Sequence, residues 1–200
     1  MRVCLPYSPL EVSKTMVEKN ELTKTLLTAK DLVKMGEEGE FCELVDGELV
    51  RMSPSFLPEA RVVRTTLLLL GTFVSEHRLG EIFGPDLGYE LTPHRVRAPD
   101  VSFVSAEKLA AYGNPQEFAK VIPDLAVEVI SPEVKYSYLQ RIIRDYFEAG
   151  VHLLWIVDSE IQTVTVHRSP VDLRVLTAAD TLSGEDVIPG FSCLIAELFA

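Results

Sequence analysis

The chain has 200 residues, 47% hydrophobic and 24% charged, which is the length of one domain with a sizeable core and excludes wholesale disorder or a collagen-like repeat. Its 30 acidic against 19 basic side chains leave a formal net charge of -11, which opposes nonspecific attraction to nucleic acid or anionic membrane, so any nucleic-acid contact must be local or metal-assisted. Three scattered cysteines, Cys4, Cys42 and Cys193, form neither a disulfide framework nor a zinc spacing and point to reduced thiols in the cytoplasm.

Residues 1–20 mix Pro6, Pro9, Glu11, Lys14 and Glu18 with no long apolar core, which predicts a weakly ordered arm rather than a secretory signal and leaves 21–200 as a single domain. Thr28, with Asp31 three residues on, predicts the start of a short helix carrying Leu32, Val33 and Met35. Phe41–Val45 and Glu48–Met52 flank Asp46-Gly47, the turn pair that best specifies a tight hairpin. A long helix follows, with Pro58 in its first turn, Val62, Val63, Thr66, Leu67, Leu70, Phe73 and Val74 on the apolar stripe, and Gly80 as its expected stop. Its apolar run Leu67–Leu70 is framed by Arg61, Arg64 and Glu76, so no membrane span is expected and the protein reads as soluble. Strands are expected at Leu87–Thr92, Asp100–Val104 and Leu125–Ile130, with a loop at Tyr112–Pro123. After Pro132 a helix places Leu139, Ile142, Ile143, Tyr146 and Phe147 on one face and stops at Gly150, and strands at Leu153–Val157 and Thr163–His167 complete the pattern. The order predicts an α/β (α+β mixed) fold, a mixed sheet flanked by helices, which by itself names no function.

The chemistry concentrates between Pro99 and Gly150. Alternation in Asp100-Val101-Ser102-Phe103-Val104 separates Asp100 and Ser102 from the apolar Val101 and Phe103, and in Leu125-Ala126-Val127-Glu128-Val129-Ile130 it leaves Glu128 between Ala126 and Ile130. A carboxylate amid apolar neighbours must be paired, protonated or metal-bound, because burying it alone costs several kcal/mol. An Arg across the sheet answers that need, and so does a metal: on neighbouring strands Asp100 and Glu128 converge within about 4 to 5 Å, and two hard oxygen ligands suit Mg²⁺ (or Mn²⁺).

Pro99-Asp100 followed by Glu128-Val129-Ile130 resembles the signature of PD-(D/E)XK nucleases. The wider pattern resembles the Uma-type restriction endonuclease domain family of that superfamily over roughly 28–199. It includes Glu43-Leu44-Val45-Asp46-Gly47-Glu48, Met52-Ser53-Pro54, Ala98-Pro99-Asp100-Val101, Glu128-Val129-Ile130-Ser131-Pro132, Ala149-Gly150-Val151, Trp155-Ile156-Val157-Asp158 and Leu182-Ser183-Gly184-Glu185. The resemblance implies a restriction-endonuclease-like sheet with an N-terminal hairpin, DNA as partner and a homodimer. It also implies a metal held by Asp100, Glu128 and the Val129 carbonyl, with Glu43 or Glu48 as an additional acidic group. Relatives carry an active-site Lys where this chain has Ile142 and often a His where it has Ala60. Lys135 is then the candidate substitute for the missing catalytic cation, with Arg141 as a second. Arg61, Arg64, Arg141 and Arg144 are candidate phosphate contacts, or else a solvated face. Two functions follow: a Mg-dependent endonuclease weakened by Ile142, or an inactive nuclease-fold module that binds DNA or protein. His77, His94, His152 and His167 lack paired ligand spacing, and no Gly-rich phosphate loop occurs.

Overall fold

The computed structural model describes residues 26–113 and 118–200; the expected arm at 1–20 lies outside them. In chain order come α1 (Ala29–Lys34), a 3-10 turn (Gly36–Gly39), β1 (Cys42–Val45), β2 (Glu48–Arg51), α2 (Leu57–His77), β3 (Gly80–Phe83), β4 (Tyr89–Thr92), β5 (Arg95–Arg97), β6 (Val101–Ser105) and α3 (Ala106–Tyr112). They are followed by β7 (Leu125–Ile130), α4 (Tyr136–Ala149), β8 (Leu153–Asp158), β9 (Thr163–His167), β10 (Leu173–Leu176), β11 (Thr181–Ser183), β12 (Ser192–Leu194) and α5 (Ile195–Leu198).

Local signals form the predicted elements. Thr28 and Asp31 cap α1 reciprocally, each side chain accepting from the other residue's backbone N–H. Asp46 and Gly47 both take positive φ, 51° and 77°, which closes the two-residue hairpin with Val45 opposite Glu48. Gly150 ends α4 in the left-handed region, as its position predicts. The end of α2 differs: Arg78, at φ 54°, takes the left-handed cap, and Gly80 opens β3 instead. There a Cβ would lie 2.1 Å from the Val104 carbonyl oxygen, so close strand approach rather than helix termination demands that glycine.

The six-stranded sheet runs β10-β9-β8-β7-β6-β3, and a four-stranded sheet, β2-β1-β5-β4, stands beside it. Only β7 and β8 are parallel among these strands, and α4 supplies their crossover. Strand alternation then sorts the core. Val101, Phe103, Leu125, Val127 and Trp155 face Val62, Leu70 and Val74 of α2, whereas Ala126, Leu154 and Ile156 face Ile142, Ile143 and Tyr146 of α4. The two long helices therefore cover opposite faces of one sheet, and β7 passes between them. No described helix is long and apolar enough to cross a membrane.

Candidate active site

Pairing of β6 with β7 matches Val101 to Val127 and Ser102 to Ala126, so Asp100, one residue before β6, falls beside Glu128. At that point the ladder has ended and the Val129 N–H projects past it. The Asp100 carboxylate takes this donor at 2.7 Å through Oδ2. Glu128 points to the α4 face, where the Tyr146 hydroxyl donates to its Oε1 at 2.5 Å. Sequence reasoning puts Tyr146 on the inward stripe but does not reveal this partner.

A second constellation borders the pair. Arg97 is fully buried and donates to Glu43 Oε2 at 2.6 Å and to Asp145 Oδ2 at 2.5 Å, while the Tyr138 hydroxyl and the Ala98 N–H also donate to Glu43. Burial opposes the Arg97 charge, yet Glu43 and Asp145 outweigh it and raise its pKa. Arg97 and Asp145 are not among the residues the sequence singles out. The Arg95-Val96-Arg97 alternation, two cations on one face of a short strand, is the signal that could have found Arg97; none in the sequence marks Asp145 as its partner.

Because Arg97 is engaged by two carboxylates, Asp100 and Glu128 have no ion-pair partner of their own among the described residues. Burial, and then repulsion from Glu43, push the Asp100 carboxyl up to about 6 against the Val129 hydrogen bond. Glu128 keeps some surface open, but its carboxyl lies deep among protein atoms. Desolvation first, then Asp100 and Glu43, raise it well above the ordinary glutamate value, with Tyr146 and Arg97 opposing. Asp100 Oδ1 and Glu128 Oε2 accept no hydrogen bond from the described residues.

A pH dependence follows from these shifts. A carboxyl whose folded pKa exceeds its ordinary value stabilises the fold below that value, and the contribution is lost as pH rises through the folded pKa. In chelator, wild type should lose stability relative to an Asp100→Asn/Glu128→Gln double variant as pH rises from about 4 through about 6, and Glu128 should extend the trend higher. Thermal unfolding at stepped pH measures the difference; one that stays flat contradicts the shifts.

The remaining candidates are distributed as follows. Glu43 lies next to the pair electrostatically, but both its oxygens are already occupied. Glu48 is exposed at the turn end of the hairpin. No group of three or more His, Cys, Asp or Glu side chains among the described residues has a metal-holding arrangement. Lys135 is the exposed N-cap residue of α4 and makes no hydrogen bond or ion pair with either carboxylate. Ile142 is 5% exposed in the apolar cluster with Ala126 and Ile130, one helical turn before Tyr146. The four arginines do not share one rim. Arg61 and Arg64 ride on α2, and Arg64 lines a groove with Asp100 and Ala60. Arg141 and Arg144, on the opposite face with α4, act on Asp46, and Arg144 also pairs with Glu148.

The family model Uma2, described as "Putative restriction endonuclease", matches residues 29–196. The chain belongs to this family. No curated protein matches it. Among solved structures, one from Anabaena variabilis ATCC 29413, titled "a putative nuclease belonging to DUF820", superposes with a TM-score of 0.75 at 18% identity, covering 86% of this chain and 97% of that one. At that identity the likeness bears on the fold alone, a nuclease fold. Family membership makes the protein nuclease-like.

Proposed function

We propose that the protein is a divalent-metal-dependent DNA phosphodiesterase of weakened activity. The observation that carries this reading is the adjacency of Asp100 and Glu128, two desolvated carboxylates with free oxygens and no ion-pair partner among the described residues. A dication at that point relieves their repulsion and removes the cost of ionising them. The donor set fits: Asp100 Oδ1, Glu128 Oε2 and the Val129 carbonyl are hard oxygen ligands, few enough to suit an ion such as Mg²⁺ or Mn²⁺ that keeps several waters. When bound, such an ion supplies Lewis-acid polarisation of a phosphodiester and acidifies water.

The chain's own residues do the rest. Val129 N–H and Tyr146 OH each hold one oxygen of a ligand carboxylate, which fixes the other oxygen's direction. Arg64, which lines a groove with Asp100, and Arg61, three residues earlier on α2, supply exposed cations for backbone phosphate. Ile142 offers no donor or charge where a cation would orient the attacking water, so cleavage is slow. Lys135 is the nearest substitute in sequence, at the exposed start of α4. The same Ile142, sealed in apolar packing, favours the second reading, a nuclease-fold module that binds DNA without cutting. A cytoplasmic homodimer completes the proposal, and sedimentation of the wild-type protein measures the assembly.

Calorimetric titration with Mg²⁺ and Mn²⁺, paired with cleavage of mixed DNA substrates, tests the reading. Wild type should give weak binding heat, and Asp100→Ala and Glu128→Ala should each abolish it. Heat that survives in both variants places the ion elsewhere and ends the assignment.

A further inference from the structure

The N-terminal half of α2 carries a feature that metal binding does not use. A groove of about 470 Å³ runs beside Asp100, walled by Ala60, Val63, Leu67 and Leu68 of α2 and by Pro85. Ser55 and Arg64 add its other polar groups. Apolar walls with a few placed polar groups, at this volume, have the composition of a small-ligand site. On the outer side of the helix, Leu57, Arg61, Arg64 and Leu68 recur at four and three, with Leu57 and Leu68 both more than half exposed. Apolar and cationic side chains thus share one stripe along the groove.

Charge selects the occupant. Arg61 and Arg64, like Arg51, Arg78 and Arg141, pair with no carboxylate among the described residues, and they are the two that stand on the stripe along the groove, which Arg64 lines. Unpaired cations beside an apolar groove fit an anionic ligand with an apolar part. A nucleotide has both features. It offers a phosphate to Arg61 and Arg64, and a base to the aliphatic walls, the Arg64 guanidinium and the Ser55 hydroxyl. In continuous duplex DNA the bases stay stacked and only phosphates and groove edges are presented; a base reaches such a pocket only when it is unpaired or splayed.

We propose that this groove receives an unpaired DNA base flanking the phosphate at Asp100, so that the substrate is DNA with single-stranded or frayed nucleotides rather than uninterrupted duplex. The proposal rests on the metal-dependent reading above and narrows its substrate class.

Ser55 and Ala60 are both exposed, so the double variant Ser55→Leu/Ala60→Leu narrows the groove with aliphatic atoms without entering the core. Binding is read by fluorescence anisotropy of a labelled single-stranded DNA 20-mer, its duplex and the matching RNA, with Ca²⁺ replacing Mg²⁺; unfolding midpoint, sedimentation and Mn²⁺ binding heat are measured on the same samples. The expected result is tighter binding of wild type to single-stranded DNA than to duplex. The double variant should lose about 5- to 150-fold of single-strand affinity with little change for duplex, while its Mn²⁺ heat and midpoint hold. Equal affinity for both DNA forms, preference for RNA, no selective loss in the folded variant, or a change in oligomeric state in place of DNA binding each overturns the proposal. If instead Asp100→Ala and Glu128→Ala leave the Mn²⁺ heat intact, the metal reading fails and the groove result is judged on its own.

Discussion

Replacing Ile142 by lysine should raise DNA cleavage by about 10² to 10⁴-fold, the range typical of one positioned catalytic group. The helical face decides the geometry. Ile142 shares its cluster with Ala126 and Ile130, the residues two before and two after Glu128, and Tyr146, one turn further along α4, already reaches the Glu128 carboxylate. A lysine there extends toward the same site. The competing effect is burial, since Ile142 is 5% exposed and an unpaired ammonium there costs several kcal/mol. Glu128 and Asp100 offset that cost, because each carboxyl is raised by burial and then by neighbouring carboxylates, and each gains a countercharge. The variant should therefore fold, and thermal unfolding beside single-turnover cleavage on mixed DNA substrates checks both halves. A folded variant with no gain, together with wild-type cutting that Lys135→Ala abolishes, would show that Lys135 already supplies the cation.

The largest loss of stability is expected at Arg97. Arg97→Met removes a fully buried guanidinium and strands two carboxylates, Glu43 at 6% and Asp145 at 1% exposure. Breaking a buried ion pair from one side typically costs about 3 to 5 kcal/mol. Tyr138 and the Ala98 N–H still serve Glu43, and Arg95 lies 3.3 Å from Asp145, which holds the effect within that range. Chemical denaturation should show the drop at neutral pH. Adding Glu43→Gln and Asp145→Asn to the same chain should restore most of it, because the penalty belongs to the orphaned charges and not to the shape of the guanidinium. A triple variant no more stable than Arg97→Met would locate the loss in packing instead.

How much of this was legible beforehand depended on the range of the interaction. The Thr28-Asp31 cap, the Asp46-Gly47 turn, the Gly150 stop and the inward stripe of α4 are decided by residues within a few positions of one another, and the structure reproduces each. Alternation likewise separated Glu128 from Val127 and Val129 across β7, since successive side chains on a strand must point to opposite faces. Elements too short or too exposed to carry a period escaped notice: β5 has three residues, and β10 is largely exposed. The Gly80 expectation failed because its cause is a carbonyl from residue 104, which no local pattern contains.

The candidate site divides along the same line. That Asp100 and Glu128 are carboxylates in strand context, and that position 142 is apolar, are properties of the chain itself. Their adjacency required β6 to pair with β7, and the Glu43 carboxylate became engaged only once β5 carried Arg97 between it and Asp145 of α4. The split of the four arginines between opposite faces was decided by α2 and α4 packing on different sides of one sheet. Periodicity determines which side of its own element a residue faces. Which charges then meet, and which are left without a partner, depends on contacts between segments far apart in the chain: 54 positions separate Glu43 from Arg97 and 48 separate Arg97 from Asp145, so only the folded chain brings them into one cluster.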